Sequence, residues 1–272
     1  MEDPRLAYLI NTTPKYFYLL PLHISLLHKY SAYTQVYIAT EAPELLPWEE
    51  FSKHGLVGIQ VIKLPLDKEA FFDSRAEAVR LLPESVKYVF PIQEDFLLEG
   101  RPMEQVIKEV IELLDQNPEL SSARLMPCPG PKGLQKFNTP PLNHMSRWLI
   151  LDKKYDSIIF TYQATIWRRE DYLAFMEALI SYHSSGSSSK SQNNLAIKIN
   201  LAEIEAGQLL LLKTLPGKIH IAWPRDGDHP NAVYLCPWPY RPTAVVRGVL
   251  EPWAIELAKR EGVSLSSPCY ST

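Results

Sequence analysis

Cysteine is scarce in this chain: Cys128, Cys236 and Cys269 are its three, far apart and without CxxC spacing in 272 residues. That pattern excludes a disulfide framework or a zinc knuckle as the organising device and leaves incidental, reduced thiols. Basic charge is not in excess either. Lys and Arg number 28 against 31 Asp and Glu, a formal net charge of -3, whereas a surface that neutralises several phosphates normally shows a basic surplus or stripe. Nucleic acid is therefore not an expected partner. No apolar run approaches the ~20 residues needed to cross a bilayer, and the opening Met1-Glu2-Asp3-Pro4-Arg5 is acidic where a secretory signal is basic. These absences predict a soluble, cytoplasmic protein with no transmembrane segment. There is no internal repeat.

What is present in quantity is proline. The chain has 23, well above the usual share of about 5%, concentrated in turns and in the segment Cys128 to Pro141, which implies stiffened surface loops. Hydrophobic residues at 46% and charged residues at 22% match a soluble protein with a packed core. The length suits one large α/β domain or two small ones.

Strand and helix patterns alternate through the first half. Leu6-Ala7-Tyr8-Leu9-Ile10 is a short apolar run stopped by Asn11-Thr12-Thr13-Pro14, a buried strand followed by a loop. Tyr16 to Lys29 has Phe17, Leu20, Ile24 and Leu27 at helical spacing, with Pro21 expected to bend or delay the helix. Strands are predicted over 35–40 and 59–64, a short helix near Trp48 to His54, and a helix from Ser74 to Leu82 ending before Pro83. Val86 to Ile92 is a nearly continuous apolar strand that runs straight into Gln93-Glu94-Asp95. Alternation of this kind implies a largely parallel sheet between helical layers, with ligands at the carboxyl ends of the strands.

Further on, 102–115 is an amphipathic helix and 122–126 a strand; 157–167 reads as a strand and 169–181 as a helix. Ser184 to Ser191, nearly all Ser and Gly, reads as a loop. A helical or irregular stretch over 194–212, a strand or two before Trp238, and a helix over 252–260 complete the pattern.

Two adjacent carboxylates at a strand end repel each other unless water or a cation is there, and a divalent ion bound through oxygen relieves the repulsion. Taken alone, Glu94 and Asp95 also suit the start of a solvated turn. Their surroundings carry a resemblance. Tyr88 to Leu98, with Gln93-Glu94-Asp95-Phe96-Leu97-Leu98, resembles the "QEDFFL" strand of a group of bacterial and viral GT-A-fold glycosyltransferases. Ser74-Arg75 followed by Leu81-Leu82-Pro83 resembles the helix before that strand, and Ala123-Arg124-Leu125 its "IRL" strand. Tyr162 to Glu170 resembles "SLQPAIWRRE", Ala202 to Gly207 resembles "WEFE" with alanine in place of the tryptophan, and Ala244 to Leu250 with Glu261-Gly262-Val263 resembles the closing "VVKGKW…EGI". The matches fall in order over about residues 70 to 265.

The resemblance implies a GT-A (Rossmann-like) three-layer α/β/α sandwich with a mostly parallel, mixed central sheet. It also implies one catalytic domain over 1–272, with a nucleotide-binding half (1–125) and an acceptor-side half (126–272). The implied activity is transfer of a sugar from a nucleotide-sugar donor to a glycan, lipid-linked or other hydroxyl acceptor, in polysaccharide assembly, assisted by a divalent cation (Mn²⁺ or Mg²⁺). Carried onto this sequence, Asp95 contacts the metal or the donor phosphate, Glu94 is its neighbour, and Gln163 contacts donor or acceptor. Gln93 stands where an Asp-x-Asp pattern has its first acid. Arg75, in the helix leading into the motif, joins the donor-binding set. If transfer inverts the anomeric centre, a carboxylate must accept the proton of the attacking hydroxyl, and Glu203 and Glu205 are the candidates. On a strand both would share a face; a helix would part them.

Weaker candidates remain. Asn11 and Thr12 would hydrogen-bond a nucleobase or ribose, although Asn-Thr-Thr-Pro is also ordinary turn chemistry. Arg124, Lys132, Lys136 and Arg147 would hold diphosphate or an anionic acceptor, or are simply solvated. Asp226, Asp228 and His229 would complete a metal site, or form a turn around Gly227. Trp148, Trp167, Trp223 and Trp238 would stack on sugar rings, Trp167 suiting the core better. The missing first acid and the missing tryptophan suit an alternative, a catalytically inactive glycan- or nucleotide-binding module of the same fold.

Overall fold

The structure, a computed structural model, describes residues 3–31, 36–65, 71–127, 132–133, 135–137, 148–185, 200–224, 236–241 and 243–265. β1 (Leu6–Asn11), β2 (Val36–Thr40), β3 (Ile59–Lys63) and β4 (Tyr88–Ile92) are parallel to one another. β6 (Leu120–Arg124) and β9 (Ile219–Ala222) form a second parallel pair. β8 (Thr165–Arg168) runs antiparallel between β4 and β6, and β7 (Leu149–Ile150) lies antiparallel on the outer side of β9. One sheet results, in the order β3-β2-β1-β4-β8-β6-β9-β7. It draws strands from both halves of the chain, and the expected mixed, mostly parallel sheet is found.

Its two faces are covered because successive side chains of a strand point to opposite sides. Tyr8, Ile10, Phe90 and Ile92 face a layer containing α1 (Leu20–Tyr30), α4 (Glu104–Gln116) and α7 (Pro252–Arg260). Ala7, Leu9 and Val89 face α3 (Phe71–Arg80), α5 (Arg169–Ser184) and α6 (Glu205–Thr214). The small α2 (Trp48–Lys53) docks through Phe51. α4 buries Ile107, Val110, Ile111 and Leu114, a stripe at helical spacing. Pro21 delays α1 as expected: residues Pro14–Leu19 form a 3₁₀ helix, and the proline falls in the first turn of α1, where its missing N–H has no helical partner to lose.

One expected strand is only partly present. Of 157–167, just 165–167 joins the sheet, in a strand that runs on to Arg168. The backbone of 158–160 is satisfied by buried side chains instead of a ladder: Arg124 Nη2 donates to Ile158 O and Ile159 O, and Gln208 bonds Ile159 N, Phe160 N and Phe160 O.

The same place marks where the sheet splits. β8 pairs with β4 only at Tyr88 and Val89. Tyr88 N–H bonds Arg5 O, on the β1 side, so alternation turns Val89 and Pro91 toward β8. Pro91 has no N–H to give there. The chain before β8 diverges from the end of β4 and leaves a cleft. Beyond it, β5 (Leu97–Leu98) pairs with β10 (Tyr240–Arg241), and β11 (Val245–Val246) with β12 (Val249–Leu250) closes a hairpin. Its two turn residues, Arg247 and Gly248, both have positive φ, as a type I′ turn requires. No helix among the described residues is long and apolar enough to cross a membrane.

Candidate active site

From β1 the chain passes outward to β2 and β3, then returns to the other side of β1 as β4. The carboxyl ends of β1 and β4 therefore flank a topological switch point, where open α/β sheets leave a crevice for ligands. Both predicted loops are there. Alternation divides their residues between the two faces: Asn11 and Gln93 continue the side of Leu9 and Val89, Thr12 and Glu94 the side of Ile10 and Ile92.

On the acidic side, Glu94 is 8% exposed. Burial, then the neighbouring charge of Asp95, pushes its carboxyl up to about 8, against its own backbone N–H, the charge of Arg75 and the Thr12 hydroxyl. That hydroxyl faces the carboxyl but falls short of full hydrogen-bond geometry. Asp95 is half-buried. Burial raises its carboxyl to about 6, opposed by the backbone N–H groups of Val245 and of Asp95 itself. Ala244 N donates to Asp95 O at 2.9 Å, so the strand β11 region holds both ends of the aspartate.

His23 fixes the backbone below the pair. Its Nδ1 lies 3.1 Å from Glu94 O and its Nε2 2.7 Å from Tyr8 Oη. A carbonyl only accepts, so Nδ1 carries the hydrogen and Nε2 accepts from the tyrosine. Burial drives the His23 pKa down to about 4, so the ring is a neutral strut. Tyr18, half-buried, is near enough to Glu94 and Asp95 for their charges to raise its pKa, after burial.

On the other side, the cleft is lined by Asn11, Pro91, Ile92 and Gln93 from the strand ends, Arg75 from α3, and Phe160, Thr161, Tyr162, Trp167 and Tyr172 opposite. Asn11 Nδ2 donates to Ser74 O at 3.1 Å, tying β1 to α3. The Arg75 guanidinium sits 3.6 Å from the centroid of Phe71 and 5.5 Å from that of Tyr162.

The far wall, 159–163, is held by side chains from the turn before α6 and from α6 itself. Gln208, fully buried, accepts from Ile159 N and Phe160 N and donates to Phe160 O and Ala202 O. Glu203 Oε1 accepts from Thr161 Oγ1 at 2.6 Å and Tyr162 N at 2.9 Å. Gly207 permits this packing: a Cβ there would meet Leu201 O at 2.1 Å. Gln163 Oε1 takes the Tyr240 hydroxyl, which also accepts from Ala164 N at 3.2 Å.

Of the predicted residues, then, Asn11, Arg75 and Gln93 line the cleft; Thr12, Glu94 and Asp95 gather on the opposite side of the β4 exit; Gln163 and Glu203 belong to the far wall. Glu205 is apart from them. It opens α6, its side chain is 66% exposed, and it pairs with Lys153 Nζ at 2.7 Å. Arg124 is buried in the loop contacts described above, Lys132 and Lys136 are exposed, and Trp148, Trp167, Trp223 and Trp238 are buried in the core. Arg147, Asp226, Asp228, Gly227 and His229 lie outside the described residues. Gln208, Tyr172 and His23 carry no signal in the sequence beyond being polar groups in apolar stretches.

A divalent cation is tested by the acidic side. Two adjacent carboxylates whose proton affinity is raised are groups that a cation would relieve, and Mg²⁺ is commonly held by one or two carboxylates plus a substrate's phosphates. Asp95, half-buried, fits as a ligand; Glu94 is the more enclosed. Among the described residues no third His, Cys, Asp or Glu completes a cluster, so the ligand's own oxygens would have to fill the remaining positions.

No family model matches the chain, and a search of the curated proteins finds no match. Among solved structures it is similar to a crystal structure of S. aureus TarS 1–349, at 13% identity and a TM-score of 0.42, over 85% of this chain and 64% of that one. It is similar also to a longer S. aureus TarS structure, at 13% identity and a TM-score of 0.43, over 85% and 38% of the two chains. A third is 4-diphosphocytidyl-2C-methyl-D-erythritol synthase from Anaerococcus prevotii DSM 20548, at 11% identity and a TM-score of 0.38, over 72% and 84%. The chain thus spans less than two thirds of either TarS chain. Scores this low do not speak to activity.

Proposed function

We propose that the protein is a glycosyltransferase that moves a sugar from a nucleotide-sugar donor to a hydroxyl of a glycan or lipid-linked acceptor. The observation that carries this reading is the end of β4, at the switch point between β1 and β4: Arg75 lines a cleft on one face of the strand exit, and the carboxylates of Glu94 and Asp95 gather on the other face. Opposite charges on either side of one strand end suit a ligand that brings both an anionic diphosphate and a bound cation.

In this reading Asn11 and Thr12 meet the nucleoside, Arg75 and Gln93 the polar part of the donor, and Gln163 the donor or acceptor. Asp95, with Glu94 behind it, holds Mn²⁺ or Mg²⁺ together with the donor's phosphates. The cation would neutralise the charge that grows on the departing diphosphate. Of the two candidate bases, Glu203 is the one assigned to the site, because it is bonded to the cleft wall; Glu205 stands in an exposed ion pair.

The test is thermal stabilisation by UDP-, GDP-, CMP- and dTDP-sugars, each with and without Mn²⁺, followed by donor hydrolysis. A shift with one nucleotide family, enlarged by Mn²⁺, is expected. Silence across all four donors would remove the reading.

A further inference from the structure

Gln163 has a backbone N–H, a backbone carbonyl, an amide oxygen and an amide NH2, and the protein uses all but the last. Its N–H donates to Thr161 Oγ1 at 3.4 Å, its carbonyl accepts from Thr165 Oγ1 at 2.8 Å, and its Oε1 accepts from the Tyr240 hydroxyl. The side-chain NH2 bonds nothing among the described residues. It is not sealed in either: the residue is half-buried, and its amide nitrogen keeps access to solvent.

Tyr240 decides which end of the amide is left over. It is fully buried on β10, paired with Leu98, and its ring stacks on Phe96 at 5.2 Å between centroids. Its oxygen accepts from Ala164 N at 3.2 Å. A backbone N–H only donates, so the single hydrogen of the phenol is the one turned to Gln163, and an amide meets a hydroxyl hydrogen with its oxygen. The NH2 is thereby turned away from Tyr240. With phenylalanine at 240 the amide could lie either way, since its two ends have nearly the same shape.

The amide stands where two parts of the site meet. Gln163 follows Thr161 and Tyr162, which line the cleft, and Tyr240 ties it to Phe96, the residue after Asp95. A loose glutamine would lose rotamer freedom on meeting a ligand, whereas one already held by Tyr240 has lost it in folding. Such a group is prepared to donate to an oxygen and cannot accept from a hydroxyl.

We infer that Tyr240 is a positioning residue: it fixes Gln163 so that a ligand meets the NH2 end, and the group that takes this hydrogen bond is an acceptor oxygen of the nucleotide-sugar. The polarity of the amide follows from the bonds; that the ligand is a nucleotide-sugar rests on the glycosyl-transfer reading above. Sugar and phosphates both carry acceptor oxygens, and the experiment separates them.

The full chain and its variants Gln163→Met, Tyr240→Phe and the two combined are titrated calorimetrically with whichever UDP-, GDP-, CMP- or dTDP-sugar most raises the melting temperature, and with the free nucleotide that this sugar donor releases. Gln163→Met should weaken the nucleotide-sugar about fivefold if the oxygen is a neutral one of the sugar, and about tenfold or more if it belongs to a phosphate. Loss toward the nucleotide-sugar alone places the contact on the sugar; loss toward the free nucleotide as well places it on a phosphate. Tyr240→Phe should weaken binding by a smaller factor, and the combined variant no further than Gln163→Met, because the phenol acts through the amide. A tyrosine with a structural role alone would lower the melting temperature without that coupling in affinity. Should Tyr240→Phe fail to fold, Gln163→Glu replaces it: a carboxylate keeps an oxygen for the phenol but has no NH2, so the melting temperature should hold while affinity falls at least as far as in Gln163→Met. Unchanged affinity in Gln163→Met or Gln163→Glu, or full additivity of Gln163→Met and Tyr240→Phe, overturns the inference. If a nucleotide-sugar binds and Gln163→Met binds it equally, the inference fails and the transferase reading stands; if none binds the unmodified protein, both fail.

Discussion

Glu203 accepts the hydroxyl hydrogen of Thr161 at 2.6 Å, through the same carboxylate oxygen that takes the N–H of Tyr162. A side chain beside α6 thereby sets the position of two residues that line the cleft. Glu203→Gln retains an oxygen in that place and should leave stability nearly unchanged, whereas Glu203→Ala should cost about 1–2 kcal/mol. Urea unfolding of the two variants measures this. If Glu203 also acts as base, Glu203→Gln abolishes turnover while donor binding persists; retained turnover would leave it a positioning residue alone.

Gln208 is the larger structural commitment. Its amide completes four bonds in a fully buried place. Gln208→Leu would strand two N–H groups and two carbonyls, for which at least about 3 kcal/mol of lost stability is expected. Faster hydrogen exchange should be confined first to the amides of 159 and 160. A neutral outcome would mean that water replaces the amide.

Asp95→Asn separates charge from shape. Because burial already disfavours the ionised carboxyl, the variant should fold with unchanged or slightly higher stability. The Mn²⁺-dependent part of donor stabilisation should vanish and turnover fall by at least about 100-fold. Mn²⁺ response equal to that of the unmodified protein would exclude Asp95 as a ligand.

How much of this was legible beforehand differs by residue. The helix over 252–260 has Pro252 in its first turn and stands where expected, since the signal is local. The acidic exit of β4 was readable too, as a run of apolar residues ending in charge. The wall was not. Ile158-Ile159-Phe160 has a strand's composition, and what keeps it out of the sheet is Arg124 and Gln208, 34 or more residues away in sequence. Glu203 and Glu205 look equivalent in a string of letters; the start of α6 between them sends one to the wall and the other to solvent.

Acid should weaken the fold through His220. Burial, then the positive charges of Arg124 and Lys218, lowers its pKa from 6.5 to about 3. Below its ordinary value the unfolded chain takes up a proton that the folded chain refuses, so stability is present above pH 6.5 and drains away as pH falls toward 3. The slope approaches about 1.4 kcal/mol per pH unit for one such group. Unfolding free energies of the protein and of His220→Gln from pH 7 to pH 5 should diverge in slope; parallel profiles would show that the imidazole is not responsible.

Position 91 has an effect out of proportion to its size. An amide there would offer β8 one more rung, and the two strands could zip shut over the recess that now separates them. The imino acid withholds the donor of that rung, so the backbone at the lip keeps a carbonyl but no N–H with which to close the opening beside β4.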